Sequence, residues 1–392
     1  MLEKDKSVLH NANRIRSNRW LLLLLTILVA IASYFLPRHQ PYFFSFEHTH
    51  ADLRTAIFSE RPDYVYDPIA FVKITEAELE NMTYRSPIDR AWLATLITTI
   101  DLQKPSVIAI DIQFDKQTEI VKDQQLIDAI KAAKSPVVIA AIDSRGELTP
   151  NQKAYHQAFV EQSGAEFGFV NIAADEDDVV RELPTSIEVL YPHSFADVVV
   201  GIVKGEMPSK PRFDERISWL RDLDYKTPVF PGKAAGLVMT KPEVFNLKNK
   251  IVLVGVDIPT ADKHHTPFSE LDRKHKGTAG ALIHAQMIAQ KLDDRRMIML
   301  PRPLEFFLYL IAAMAGFLIA ANGSSLTHKA KIISILSMTA LLVDFVFFRF
   351  LSILVPTAMI LFAMVFAISI PVFFAKFMSS IRQLKFTNGE KE

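Results

Sequence analysis

The sequence predicts an α/β domain, with a central, mostly parallel sheet flanked by helices, together with four transmembrane helices. Long apolar runs lie near the two ends of the 392-residue chain. Between them, short β-branched runs alternate with longer segments of helical period, which is the pattern of α/β domains. Several β-branched runs are continuously apolar, as expected for strands that are covered on both faces.

Four apolar runs predict the membrane spans, at 20–36, 303–321, 332–348 and 352–375. A bilayer core of ~30 Å requires about 20 apolar residues in a helix, and each run is close to that length. The tripeptide AIA in the first run also fits the cleavage site of a signal peptide. The apolar run continues beyond it, which favours an uncleaved anchor.

The distribution of lysine and arginine predicts the orientation of these spans. Positive charges cluster in residues 1–19, in the loop between the second and third spans, and in residues 376–392. Such segments remain on the cytoplasmic side of a membrane. We therefore expect a cytoplasmic N-terminus, a cytoplasmic tail, and a segment 37–302 that lies outside the membrane.

Within residues 37–302, six strands and five helices are predicted. The strands are expected at 69–74, 106–112, 136–142, 168–172, 186–190 and 251–256. The helices are expected at 87–101, 119–134, 151–164, 194–205 and 278–294. Because helices alternate with strands, the strands are expected to pair in parallel.

Composition excludes several classes of protein. The 44 Lys and Arg residues balance 44 Asp and Glu residues, and a net charge of zero argues against a nucleic-acid partner. The absence of cysteine excludes disulfides and thiol chemistry. The sequence has no phosphate-binding loop, no nucleophile elbow and no histidine pair with zincin spacing. We expect no enzyme activity, no cofactor and no bound metal.

Five stretches resemble a known family. They are RSPIDRAWLATLI, KPSVIAIDIQFD, DEDDVVRELP, KIVLVGVDIPTADKHHTPFS and GTAGALIHAQMIAQKL. In this order, with one span before them and three after, they resemble the cyclase and histidine-kinase associated sensory extracellular domain of the second class, over about residues 45–300. The resemblance implies a sensor in the bacterial cytoplasmic (inner) membrane, with its domain in the periplasm. Asp178 departs from the pattern, because the family often has glycine there.

Members of this family usually carry a cyclase or kinase domain after the last span. Only residues 376–392 follow that span here, which is too short a segment to bury a core. The resemblance therefore implies a ligand-binding sensor that signals through its transmembrane bundle to a separate cyclase, kinase or other regulator, as a homo-oligomer or a hetero-complex. The alternative is a structural component of a cell-envelope assembly that retains the sensor fold.

Six residues are candidates for ligand contacts: Arg90, Asp111, Arg181, Asp262, Thr266 and His284. Asp262 and Thr266 recur in the family pattern and follow the strand 251–256. The carboxyl ends of such strands are where open α/β sheets bind ligands. Arg90 and Arg181 have the donor geometry to clamp an anion.

A structural role competes with ligand contact at each of these positions. The two arginines have acidic residues nearby in the sequence for ion pairs, Asp111 fits a solvated turn, and His284 fits a packed helix residue. The adjacent His264 and His265 are expected in a polar surface loop, because neighbouring histidines do not easily bind one metal ion.

Three features concern the membrane. Asp344 is an acidic residue inside the third predicted span, where such residues usually face protein or polar partners. It indicates a helix–helix contact, with relief from Arg349 by snorkelling toward the outer surface, and an assembly role competes with a signalling role. Pro301 and Pro303 prevent a continuous helix from the domain into the second span. Small residues around Gly316 permit close packing of that span.

Overall fold

A computed structural model of the chain describes residues 19–208, 210, 215–224, 226–259, 262–270, 277–322, 324–371 and 373. These residues form two compact units. The membrane unit combines Met1–Arg54 with Ile298–Glu392, and the domain unit is Thr55–Met297. The predicted cytoplasmic tail, and all of the predicted cytoplasmic N-terminus except Arg19, lie outside the described residues.

The helices are α1 (Arg19–His39), α2 (Pro41–Phe58), α3 (Glu76–Glu80), α4 (Arg90–Asp101), α5 (Ile120–Ala132), α6 (Pro150–Ser163), α7 (Phe195–Lys204), α8 (Ala235–Thr240), α9 (Gly280–Leu292), α10 (Arg302–Ala321), α11 (Leu326–Leu351) and α12 (Thr357–Pro371). The strands are β1 (Ile69–Ile74), β2 (Val107–Gln113), β3 (Val137–Ala141), β4 (Glu166–Phe169), β5 (Glu215–Arg216), β6 (Gly232–Ala234), β7 (Ile251–Val256), β8 (Lys263–His264), β9 (Thr278–Ala279), β10 (Met297–Met299) and β11 (Ile353–Leu354). Short 3₁₀ turns occupy Pro242–Val244 and Pro267–Glu270.

A six-stranded sheet forms the centre of the domain unit, in the order β4-β3-β2-β7-β1-β6. Every neighbouring pair in it is parallel. Successive side chains of a strand point to opposite faces, so Ile108 and Ile110 of β2 enter one hydrophobic core while Val107 and Ala109 enter another. Both faces of the sheet are apolar for this reason, and the predicted α/β fold is confirmed.

Helices cover both faces of the sheet. Residues of α4, α5, α6 and α8 belong to the core of Ile108 and Ile110, whereas residues of α7 and α9 belong to the core of Val107 and Ala109. The chain passes from β2 to β3 to β4 through α5 and α6 on one face and returns through α7 on the other. This division follows from the right-handedness of parallel crossovers.

One predicted strand is wrong. Residues 186–190 form no strand but a surface loop, with the Val189 side chain 96% exposed. Ser186 Oγ donates hydrogen bonds to the carbonyl oxygens of Glu188 at 3.0 Å and Tyr191 at 2.8 Å. These bonds turn the chain back on itself, so the β-branched residues there do not extend the sheet.

In the membrane unit, three helices are long and apolar enough to cross a membrane: Trp20–His39, Arg302–Ala321 and Leu326–Leu351. The fourth predicted span is represented by a shorter apolar helix, Thr357–Pro371, so four spans are not confirmed. Gly316 permits α10 and α12 to approach closely, because a Cβ there would collide with the Met364 carbonyl oxygen.

The helix–helix contact predicted at Asp344 is confirmed, but the predicted relief by Arg349 is wrong. Asp344 forms an ion pair with Arg54 of α2, and both side chains are only 4% exposed. Arg349 is exposed and points its guanidinium toward the Phe350 ring, at 5.9 Å. Burial explains the difference, because a desolvated carboxylate is stabilised far more by an adjacent buried cation than by a solvated one.

Candidate functional site

The candidate site lies at a topological switch point of the sheet, where adjacent strands β2 and β7 lead to helices on opposite faces. β2 is followed by α5 and β7 by α9, and these helices pack in different cores. Open α/β sheets bind ligands in the crevice at such a point. Four side chains lie close enough here for their charges to interact: Asp111, Asp262, His264 and His284. We call them the switch-point group.

Asp111 and His284 form the inner half of the group. Asp111 is near the end of β2, and its Oδ1 lies 4.0 Å from Nε2 of His284 on α9, with side-chain exposures of 11% and 3%. This separation is longer than a hydrogen bond. His284 packs edge-on against the buried Phe195 ring, at 5.6 Å between centroids. The Asp111 carboxylate accepts no hydrogen bond from any residue that the structure describes.

Asp262 and His264 form the outer half. Asp262 Oδ1 accepts a hydrogen bond from His264 Nε2 at 3.1 Å, and Asp262 Oδ2 accepts the backbone N–H of Gly280 at 3.1 Å. Gly280 begins α9, so the carboxylate also caps the positive end of that helix. A side chain at position 280 would lie 2.6 Å from Asp262 Oδ2, which is why glycine occupies this close approach.

Two glycines thus shape the switch point. A Cβ on Gly255 of β7 would collide with the Cβ of Ala281 in the first turn of α9. Without that side chain, the helix can pack directly on the strand and bring His284 beside Asp111. Gly255 and Gly280 therefore act on the site by permitting close packing.

The loop after β7 is a short hairpin. β8 pairs with β9 in antiparallel fashion, with His264 opposite Thr278. Thr266 is 1% exposed; its Oγ1 lies 3.4 Å from Thr278 Oγ1, and its N–H donates to Ser269 Oγ at 3.0 Å. The two histidines make different contacts. The His264 side chain contacts Asp262, whereas the carbonyl oxygen of His265 accepts a hydrogen bond from the Val180 N–H at 2.9 Å.

The two carboxyl groups experience different environments. Burial raises the pKa of Asp111, and nearby His284 opposes that rise. The hydrogen bond from His264 lowers the pKa of Asp262, although burial acts in the opposite direction. The ionised form of Asp262 is therefore stabilised by His264 and by the start of α9. The ionised form of Asp111 is disfavoured by burial and is stabilised by a positive charge beside it.

Arg90 lies elsewhere, at the start of α4. Its side chain is 1% exposed and stacks over Phe114, with the guanidinium carbon 4.5 Å from the ring centroid. The Nε atom is 3.7 Å from Asp123 Oδ1, and among the described residues none of its three nitrogens has a hydrogen-bond partner. Phe114 belongs to the core opposite to the one that contains α9, so Arg90 is not part of the switch-point group.

Arg181 is held by acidic neighbours. It forms ion pairs with Asp175 and Asp177, both at 2.7 Å, as the competing structural role anticipates. Asp178 adopts φ 62°, the left-handed conformation that favours glycine and that aspartate tolerates. The contact of Val180 with His265 joins this turn to the hairpin.

The switch-point group contains metal-ligating residue types, but no three such side chains converge as metal ligands anywhere in the described part of the chain. What the arrangement offers is a carboxylate with a free acceptor capacity beside a buried imidazole. Such a pair can accept N–H or O–H donors of a small molecule.

The chain combines a parallel α/β domain with three helices that are long and apolar enough to cross a membrane. A family model described as the CHASE2 domain matches residues 24–320. The chain therefore belongs to the CHASE2 family, whose members are extracellular, non-catalytic sensory domains. No curated protein and no solved structure matches the chain significantly.

Sequence reasoning missed several residues of the site. His264 was expected in a surface loop, yet it bonds Asp262 two residues earlier. Aspartate and histidine separated by one residue can lie on the same side of an extended segment, and this spacing was the available signal. The roles of Gly255 and Gly280 depend on which strand and helix meet, so no local pattern indicates them.

Proposed function

We propose that this protein is a sensor of the bacterial cytoplasmic membrane whose periplasmic domain binds a small molecule at the switch-point group. The bound state then acts through the membrane helices on a separate protein, such as a cyclase, a kinase or another regulator. The family supports the sensory role, and the charge distribution of the sequence supports the orientation. The apolar helices support the membrane anchor.

One observation carries the ligand site. The Asp111 side chain is 11% exposed and accepts no hydrogen bond from the described residues, so its carboxylate keeps acceptor capacity for a ligand. A ligand with ammonium, amide or hydroxyl donors would supply what Asp111 lacks. Thr266 supports the hairpin behind the site, and we assign Arg90 and Arg181 to ion pairs that shape the domain around it.

Thermal unfolding of the purified full-length protein tests this function. The panel contains small molecules with ammonium or hydroxyl groups, and a second set with only carboxylate or phosphate groups. A ligand at 100 times its Kd adds about 2.7 kcal/mol to stability, which raises the melting temperature of a domain of this size by roughly 5–10 °C. We expect such shifts from the first set.

Matched variants locate the binding site. Asp111→Asn and His284→Gln should abolish the shift, whereas Asp115→Asn should retain it, because the Asp115 carboxylate is already bonded to Gln152. Ligand shifts of equal size in Asp111→Asn and wild type would reject the switch-point group as the site. A domain that binds no member of either set would favour the structural role in the cell envelope.

A further inference from the structure

One side of α2 makes two polar connections within the membrane unit. Glu47 Oε2 accepts the N–H of Met359, in the first turn of α12, at 3.0 Å. Arg54 pairs with Asp344 of α11 and donates from Nη1 to the Val355 carbonyl oxygen at 2.9 Å. Residues seven apart lie on the same side of an α-helix, because two turns take about 7.2 residues. One face of α2 therefore binds both α11 and the start of α12.

The Arg54 connection is buried. Each side chain of the Arg54–Asp344 pair is 4% exposed, and the Arg54 guanidinium also lies 5.4 Å from the Phe348 ring centroid. His50 Nε2 lies 3.8 Å from the other oxygen of Asp344. A buried charge that loses its partner retains its desolvation cost without the attraction that offsets it. Separation of α2 from α11 at this point is therefore strongly disfavoured.

The same helix continues into the domain unit. α2 is helical from Pro41 to Phe58, and the division between the units falls within it, after Arg54. Beyond the division, Ala56 is 1% exposed, and Arg221 of the domain unit donates a hydrogen bond to the carbonyl oxygen of Ile57. The C-terminal connection differs, because residues 293–301, between α9 and α10, contain no helix.

We propose that α2 transmits a conformational change of the domain unit to the membrane helices through the Arg54–Asp344 pair. This inference rests on the proposed sensory function and adds the structural path that the signal takes. A continuous helix moves as one body, so a rotation or displacement of its last turn also moves Arg54. Asp344 and the Val355 carbonyl follow, because the pair opposes separation. The non-helical C-terminal connection transmits such a motion less directly.

Hydrogen–deuterium exchange of the full-length protein in lipid nanodiscs tests the path. The readout is the segment 353–359, because the Met359 N–H is bonded to Glu47 of α2. The perturbation is Ala56→Leu, which overpacks a buried position in the last turn of α2. We expect several-fold faster exchange in 353–359. The control is Arg349→Gln, an exposed arginine of α11 outside the pair, which should leave this exchange unchanged.

The pair itself is tested by combining substitutions. In an Arg54→Gln background, exchange of 353–359 should already be fast, and Ala56→Leu should add nothing. If Arg54→Gln fails to insert or fold, the double variant Arg54→Gln with Asp344→Asn, which removes both charges, takes the place of the single variant. Its exchange in 353–359 should also be fast, and Ala56→Leu should add nothing. The path is refuted if Ala56→Leu accelerates exchange within the domain unit but not in 353–359, or if it acts on 353–359 equally with and without Arg54.

These experiments require neither a ligand nor a partner protein. Their failure would remove α2 as the path and leave the sensory function standing. A domain that binds nothing while Ala56→Leu still acts on 353–359 would remove the sensory function and leave the mechanical connection.

Discussion

Gly255→Ala perturbs the switch point by a single methyl group. Gly255 lies on β7, and a Cβ there would collide with the Cβ of Ala281, a fully buried residue of α9. Neither atom can rotate away, because a Cβ is fixed by its backbone. The methyl group therefore fits only if α9 and β7 move apart, which also separates His284 from Asp111.

The cost of this displacement follows from packing. Overpacking a well-packed core costs about 1–3 kcal/mol, and replacing a strand glycine returns at most about 1 kcal/mol of backbone entropy. In a domain of this size each kcal/mol lowers the melting temperature by roughly 2–4 °C. Subtracting an entropy gain of about 1 kcal/mol from the overpacking cost leaves up to about 2 kcal/mol, so we expect the melting temperature to fall by up to about 8 °C.

Thermal unfolding of the full-length protein, followed by circular dichroism, measures this effect. Gly236→Ala is the matched control. A Cβ on Gly236 would lie 3.2 Å from Glu78 Oε1, the end of a side chain that has to shift by only a few tenths of an ångström. Alanine is favoured over glycine in a helix by up to about 1 kcal/mol. The control should melt at or above the wild-type temperature. Equal melting of Gly255→Ala and wild type would refute the packing argument.

Three further substitutions test the electrostatics of the domain unit. The pKa of Asp262 is lowered in the folded protein, so its ionised carboxylate stabilises the fold at neutral pH, and this contribution is lost as the pH falls through the folded-state pKa. The free energy of unfolding, measured from pH 6 to pH 3, should therefore decline less steeply in Asp262→Asn than in the wild type. Parallel curves for the two proteins would contradict this. Arg181→Met removes a buried arginine from an ion-pair cluster whose two acidic side chains are 15% and 30% exposed, and it should cost about 1.5–3 kcal/mol in urea unfolding. Arg90→Met removes a guanidinium that has no hydrogen bond within the described chain, so it should lower the free energy of unfolding by less than Arg181→Met. A larger loss in Arg90→Met would show that Arg90 makes the more stabilising interactions.

Much of the domain fold is predictable because its strands are buried on both faces. The run at 251–256 is continuously apolar and the run at 69–74 is apolar except for Lys73, and the structure has strands β1 and β7 at these residues. β6 escapes prediction because its sequence, GKA, has no β pattern and it joins the sheet only by pairing with β1. Residues 186–190 show the reverse, since β-branched composition there is overridden by the hydrogen bonds of Ser186.

The candidate site is predictable only in part. Asp111, Asp262 and His284 all lie at the switch point. Asp111 and Asp262 come after apolar runs of β2 and β7, and His284 lies in the second turn of α9. The partner of Asp344 is 290 residues away in the sequence, and no local pattern connects two positions so far apart. Arg349 is near in sequence, but exposure makes it the weaker partner.

The measurement that most directly tests the sensory account is cross-linking of the tagged full-length protein in cells, followed by purification in mild detergent and mass spectrometry. Cells that express a variant without residues 55–297 provide the control for the role of the domain. The account predicts recovery of a membrane-associated cyclase, kinase or other regulator. Recovery of only the protein itself and structural proteins of the cell envelope would contradict it.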